Sequence, residues 1–244
     1  MMKKKWLWAG AGVVVLVALV YLFLVKSPSS FPNEKVVVAG INNAFPEAKA
    51  SEVQGVIEVS ETKRFVPFRT EQNLYGKSLW VWNGAEWKAE NIRVDQEPEL
   101  WEVERGKSST YHFIWNVDPD TTIETFEFYL LRDRNYRVSD GVKTYMPGVQ
   151  MKKVVDLTDQ SYGVLKMPEE WSYFMDSLEN TMPNRNPLFS SVFSSPTVEF
   201  RMRRLNAEGE SVRLSLPGGI GYGGSEYLQF IPGVDERGLE KPVE

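Results

Sequence analysis

Twenty consecutive residues, Trp6 to Val25, carry no charge and no proline. No other stretch constrains the chain as strongly. An α-helix rises about 1.5 Å per residue, so the run would measure about 30 Å, the hydrocarbon thickness of a bilayer. Lys3, Lys4 and Lys5 precede it, and no acidic residue occurs before Glu34. The excess of positive charge on this flank predicts a cytoplasmic N-terminal stub over 1–5, a single transmembrane helix over 6–25 and an extracytoplasmic remainder. Trp6, Trp8 and Tyr21 lie near the ends of the run, where amphipathic rings favour the headgroup level. Two other readings compete. A cleaved signal peptide has a shorter apolar core, about 7 to 15 residues, followed by small residues. Here the run continues through Tyr21-Leu22-Phe23-Leu24-Val25-Lys26. A buried core helix fits the lysine flank poorly.

The 218 residues from Ser27 onward suffice for one large or two small domains. With Lys3, Lys4, Lys5 and Lys26 set aside, 24 basic residues face 33 acidic ones, a net of −9. That balance argues against nucleic acid as a partner. The chain has no cysteine. Disulfides and lipid attachment through a lipobox are therefore excluded, and the core alone must hold the fold.

Ser27 to Pro32 reads as a linker (26–32). Asn33 is a candidate helix cap, and Val37, Val38, Ile41, Ala44 and Phe45 follow at helical spacing until Pro46. The valine run also allows a strand. From Val53 the period becomes two. Strands are expected over Val53–Val59, over Lys63–Arg69 with Pro67 marking a sheet edge, over Leu79–Trp82 and over Trp87–Val94. Asn83-Gly84 between the last two predicts a hairpin with a type I′ turn. Residues 33–95 thus form a small α+β unit.

Further strands are expected at Leu100–Glu104, Tyr111–Val117, Thr121–Arg132, Val149–Leu157, Tyr162–Met167, Val198–Leu205, Ser211–Leu216 and Tyr227–Ile231. Pro168 opens one helix with Trp171, Phe174, Met175 and Leu178 on a single face. Many short strands separated by turn residues predict an antiparallel β-sandwich over 96–234, followed by a flexible tail over 235–244. The fold class is therefore mainly β, after an N-terminal transmembrane helix.

Phe65-Val66-Pro67-Phe68, Tyr75-Gly76, Trp80-Val81-Trp82 and Trp87-Lys88 resemble an uncharacterised group of membrane-anchored proteins of Bacillus-type bacteria. So do Phe128-Tyr129-Leu130-Leu131-Arg132-Asp133-Arg134 and Val149-Gln150-Met151. The resemblance covers most of the extracytoplasmic part. It implies a single-pass envelope protein and carries no activity or site.

Motifs for catalysis are thin. His112 is the only histidine, flanked by apolar strand residues, and no Gly-x-Ser-x-Gly elbow accompanies it. Asn116, Asp118 and Asp120 begin like a calcium loop but lack its glycine and closing glutamate, so a turn is expected. Glu124 with Glu127, or Glu169 with Glu170, are the carboxylate pairs that an envelope-polymer hydrolase would need. Gly218 to Gly224 lacks the lysine and helix of a phosphate loop and reads as a mobile hairpin or surface loop. No catalytic residue, metal or cofactor is expected.

Binding has better leads. Trp80 and Trp82 share a strand face and Trp87 lies across the turn, which suits either a core face or an aromatic platform for cell-wall glycan. Arg201 and Arg203 point away from Phe200 and Met202, as a solvated strand face or an anion-binding patch. These features predict a membrane-anchored, extracytoplasmic, non-enzymatic binding protein of the bacterial cell envelope, with an envelope protein or cell-wall glycan as its partner.

Overall fold

The computed structural model describes residues 27–139, 141–181, 198–212 and 219–240. The apolar run over 6–25 lies outside them. Among the described residues, no helix is long and apolar enough to cross a membrane.

Helix α1 (Glu34–Ala44) begins where the Asn33 side chain accepts the Val36 amide at 3.2 Å. Val37 and Ile41 are buried on one face, and Pro46 follows the last turn. The helix covers a six-stranded antiparallel sheet of β1 (Ala50–Val53), β2 (Ile57–Ser60), β3 (Lys63–Thr70), β4 (Tyr75–Trp82), β5 (Trp87–Val94) and β14 (Ile220–Gly223).

Three expectations change here. The stretch from Val53 to Val59 is two strands, because the Gln54 carbonyl turns to accept the Tyr162 hydroxyl at 2.9 Å and pairing with β3 resumes only at Ile57. Pro67 does not mark an edge: β3 pairs with β1 and β2 on one side and β4 on the other. The N–H and C=O of a strand residue point the same way. The Pro67 carbonyl accepts from Gln54, so its missing N–H falls at the break between β1 and β2. The β4–β5 hairpin forms, yet its turn is a four-residue loop, Asn83–Glu86, rather than type I′. Gly84 alone takes positive φ there, and the Asn83 side chain accepts the amides of Ala85 and Glu86.

A four-stranded sheet runs β12 (Tyr162–Lys166), β7 (Tyr111–Asn116), β6 (Glu99–Glu102), β15 (Tyr227–Phe230). Both of its faces are covered. Trp101 and Ile114 pack against Phe65 and Leu79 of the six-stranded sheet. Leu100, Phe113 and Trp115 pack the other way, onto a three-stranded sheet ordered β11 (Val149–Asp156), β8 (Thr125–Arg132), β13 (Val198–Leu205). Phe113 and Phe128 stack at 4.4 Å across that interface. Helix α2 (Glu169–Thr181) closes it with Trp171. Two antiparallel sheets therefore pack face to face as in a sandwich, and a third sheet with α1, which takes in Ile220–Gly223, is stacked on them.

Two polar clamps join the layers. Fully buried Asn116 donates from Nδ2 to the carbonyls of Phe68 and Gly76 and to Gln54. The Glu226 carboxylate accepts from Lys63 at 2.6 Å and from Trp101 Nε1 at 2.7 Å.

Three segments depart further from expectation. The glycine stretch is partly strand, since Ile220–Gly223 extends the six-stranded sheet beside β5. The tail is tied down as far as Glu240, whose side chain bonds Arg134 and whose backbone bonds Gln150. A separate two-stranded ribbon, β9 (Asn135–Ser139) and β10 (Val142–Met146), was not anticipated. Of the expected strand Ser211–Leu216, Ser211 bridges Leu205 and residues 213–216 lie outside the described set.

Candidate binding site

The tryptophans do not form a platform. Trp80 is 2% exposed and sits beneath α1 so closely that a Cβ on Gly40 would lie 2.6 Å from its ring. Phe31 packs edge-on against both Trp80 and Trp87, and Arg64 covers Trp87 at 4.9 Å. Trp82 is half-buried and tilted 58° from Trp87, so the three rings are neither exposed nor coplanar. The physical reason is that α1 buries its apolar stripe on this sheet face, which leaves no open surface for sugar rings.

The arginines are each paired. Arg201 bonds Glu199. Arg203 is held by Glu127 at 3.4 Å and by Glu236 at 3.1 Å. The expected outward direction is right, but acidic partners neutralise the patch. Arg204, on the same strand, pairs with Glu97.

His112 is buried, with Nδ1 2.8 Å from the Thr110 carbonyl. Burial pushes its pKa below 6.5, against the pull of that hydrogen bond and with help from Lys166. Glu127 is buried on the outer face of the three-stranded sheet, where Tyr129 donates to it at 2.7 Å and Lys152 at 3.0 Å. Burial would raise its pKa, but those bonds and the charges of Lys152 and Arg203 outweigh it and hold the carboxyl below 4.5. A general acid needs the opposite shift. Glu169 and Glu170 are exposed in the first turn of α2. Asn116 points into the core and Asp118 caps the amide of Asp120, so no calcium loop forms. Among the described residues, no cluster of three or more His, Asp or Glu is arranged to hold a metal.

A groove of about 240 Å³ opens at one end of the six-stranded sheet. Its apolar lining is Ala48, Leu74, Tyr75, Val94 and Ile220. Sequence reasoning missed it because four separate segments build it and none carries a motif. The short 3-10 turn Pro46–Ala48 ends at Lys49 with φ 45°, and the Lys49 carbonyl accepts the Glu71 amide at 2.9 Å. The β3–β4 turn is fixed by the Thr70 hydroxyl, which accepts the amides of Gln72 and Leu74. Leu74 and Ile220 remain exposed at the mouth. The Tyr75 phenol is pushed above 10.0 by burial and then by the charge of Asp118, opposed by Arg69.

One polar residue of the lining, Asp95, is already committed. Asp95 accepts from Lys77 at 2.6 Å and from the Glu97 amide at 3.1 Å. Lys77 is 1% exposed, donates also to the Glu97 carbonyl and lies 3.2 Å from Glu99. Arg93 approaches Asp95 and Glu99 at 3.5 and 3.4 Å. Two cations and two carboxylates thus balance behind the groove. Ile220 begins β14, and no described strand pairs with the outer edge of β14. An apolar groove beside a free strand edge suits an extended segment, with backbone on the edge and one apolar side chain in the groove.

The fold and groove define a mainly β, three-sheet antiparallel body. Compared with family models, with characterised proteins and with solved structures, the chain gives no match.

Proposed function

We propose that the chain is a membrane-anchored, extracytoplasmic binding protein of the bacterial cell envelope that performs no catalysis and takes an extended segment of another envelope protein. The supporting observation is the placement of the groove along α1. The helix starts at Glu34, nine residues after Val25 closes the apolar run, and its first turn follows Phe31, which packs on Trp80 and Trp87. Its eleven residues rise about 16 Å. It then leads directly into Pro46–Ala48, part of the groove. A chain anchored through residues 6–25 holds the groove at the end away from the bilayer, where another envelope protein reaches it.

A photo-crosslinking residue at Leu74 in living cells tests this, with exposed Glu170 as the control position. The expected result is a discrete adduct at Leu74 only, and digestion of the adduct when protease is added to intact protoplasts. No adduct at Leu74, or full protection from protease, would overturn the reading.

A further inference from the structure

The β9–β10 ribbon pairs with no other described strand. Its base is braced: Arg132 donates to the Pro147 carbonyl at 2.9 Å, and Arg134 bonds Glu240 at 2.8 Å. Beyond that base the ribbon is a two-stranded arm, a form only marginally stable in water without a surface to cover it. Tyr136 faces Tyr145 in register, and Val138 faces Lys143, which places these four on one side. Tyr136 is 60% exposed and Tyr145 62%. Val138 and Val142 are also exposed. Two tyrosines, valines and a lysine on one short arm match the headgroup layer of an anionic bilayer, which takes amphipathic rings and attracts cations.

The arm leaves the body at the end where Ser29, four residues after Val25, meets the sheet. Trp87, beside the Asn83–Glu86 turn, donates to the Ser29 carbonyl at 2.9 Å. Lys63, opposite Val81 at the same end of the sheet, donates to the Val103 carbonyl at 2.7 Å. That brings the β6–β7 loop level with the turn, and Glu102 pairs with Tyr111 at the start of β7. Phe113 stacks on Phe128, and Trp115 packs on Phe126. Strand β8 therefore runs opposite to β7, and Arg132 lies at or beyond the level of Tyr111. The Arg132 guanidinium covers Phe174 of α2 at 4.9 Å, at this same end.

Distances decide the matter. From Val25 to Ser29 the chain spans at most about 14 Å when fully extended. A five-residue strand measures about 16 Å. We infer that the β9–β10 arm rests in the headgroup layer of the bilayer that holds the chain's own apolar run, and so fixes the orientation of the body above it. This rests on the proposed anchorage. Tyr136 and Tyr145 hold the interface, and Lys143 meets anionic headgroups.

The chain's lack of cysteine makes the test direct. Val142→Cys and, on the opposite end, Gln72→Cys are made in the full chain, labelled with an environment-sensitive fluorophore and placed in nanodiscs of phosphatidylglycerol and phosphatidylethanolamine. A quencher carried on lipid headgroups is expected to dim the Val142 label several-fold more than the Gln72 label. Tyr136→Ser with Tyr145→Ser removes most of that difference, and the arm lies outside the core clusters, so the body stays folded. Equal quenching at both positions overturns the inference. So does a Val142 label shielded from lipid and aqueous quenchers alike, which would mean a second copy or another protein covers the arm. A chain that fails to copurify with the discs overturns the anchorage itself, a different outcome from a chain that incorporates but leaves the arm in water.

Discussion

Lys77→Met is the sharpest probe of the wall behind the groove. The substitution keeps length and apolar stem but removes the ammonium that meets Asp95, Glu99 and the Glu97 carbonyl. Breaking a buried ionic pair from one side costs about 3–5 kcal/mol. Arg93 remains near both carboxylates, but at 3.4–3.5 Å and with its side chain 44% exposed, so it offsets only part of the loss. The lower end, about 3 kcal/mol, is expected. In a body of this size that lowers Tm by roughly 6–12 °C. Adding Glu99→Gln removes one charge of each sign and leaves Arg93 with Asp95. The double variant should regain about 1 kcal/mol or more over Lys77→Met alone. Unfolding of the full chain in detergent, followed by tryptophan fluorescence, measures both. A Lys77→Met chain within about 0.5 kcal/mol of the parent, the range of ordinary surface changes, would refute a dry, charge-balanced wall. A double variant no better than the single would refute the pairing.

Trp80→Ala should cost about 3–5 kcal/mol, as expected for a fully enclosed ring, and half-buried Trp82→Ala clearly less; equal melting temperatures for Trp80→Ala and the parent would return Trp80 to the surface. Stability should also depend on pH through three groups, read from urea midpoints across pH. The folded pKa of His112 lies below 6.5, so its contribution is complete above pH 6.5 and is lost as pH falls below it; His112→Gln should flatten that slope. Glu127, held below 4.5, contributes above pH 4.5 and loses its contribution as acid protonates it, a loss absent in Glu127→Gln. Tyr129 is pushed up to about 12 by burial and by its bond to Glu127, so its contribution is complete below pH 10 and is lost between 10 and about 12. Tyr129→Phe should remove that alkaline loss.

Local signals carried the elements well where chain geometry alone decides them. Asn33 capped its helix, and Asn83-Gly84 joined its two strands. Period-two alternation and short apolar runs between turn residues gave most strands of the body. They did not reveal what covers each face. Tyr-His-Phe-Ile-Trp-Asn reads as half polar, yet all of β7 is buried, since sheets pack on both sides of it. Asn116 and Lys77 look like solvent-facing residues by type. They are interior because backbone carbonyls and carboxylates from distant strands converge on them, and no local pattern encodes that convergence. The arm was legible and overlooked: Asp140-Gly141 between alternating Tyr, Val and Thr is a hairpin signal as good as Asn83-Gly84. The groove was not legible, because its apolar lining assembles from Ala48, Leu74, Val94 and Ile220 through long-range register.

Stacking also limits where any partner can act. The four-stranded sheet has no free face, and the six-stranded sheet lies between it and α1. The outer face of the three-stranded sheet is occupied by its own charges, with Arg203, Lys152 and Tyr129 gathered on Glu127. Of the sheets, what remains is edges and ends. At one end lie Ser29, held by Trp87, and the base of the arm. At the other lie Leu74, Ile220 and the open edge of β14. A partner segment that added a strand to β14 would contact backbone, and would draw specificity only from the groove beside Ile220. Disturbing the groove lining, as Leu74→Asp does, should therefore change which segment binds. Lys143→Glu, on the arm, should change only how the body sits on an anionic bilayer. Under the proposed anchorage the two effects are separable because the arm and the groove share no residue and lie at opposite ends of the packed sheets, and a variant of the arm that altered capture at the groove would contradict that independence.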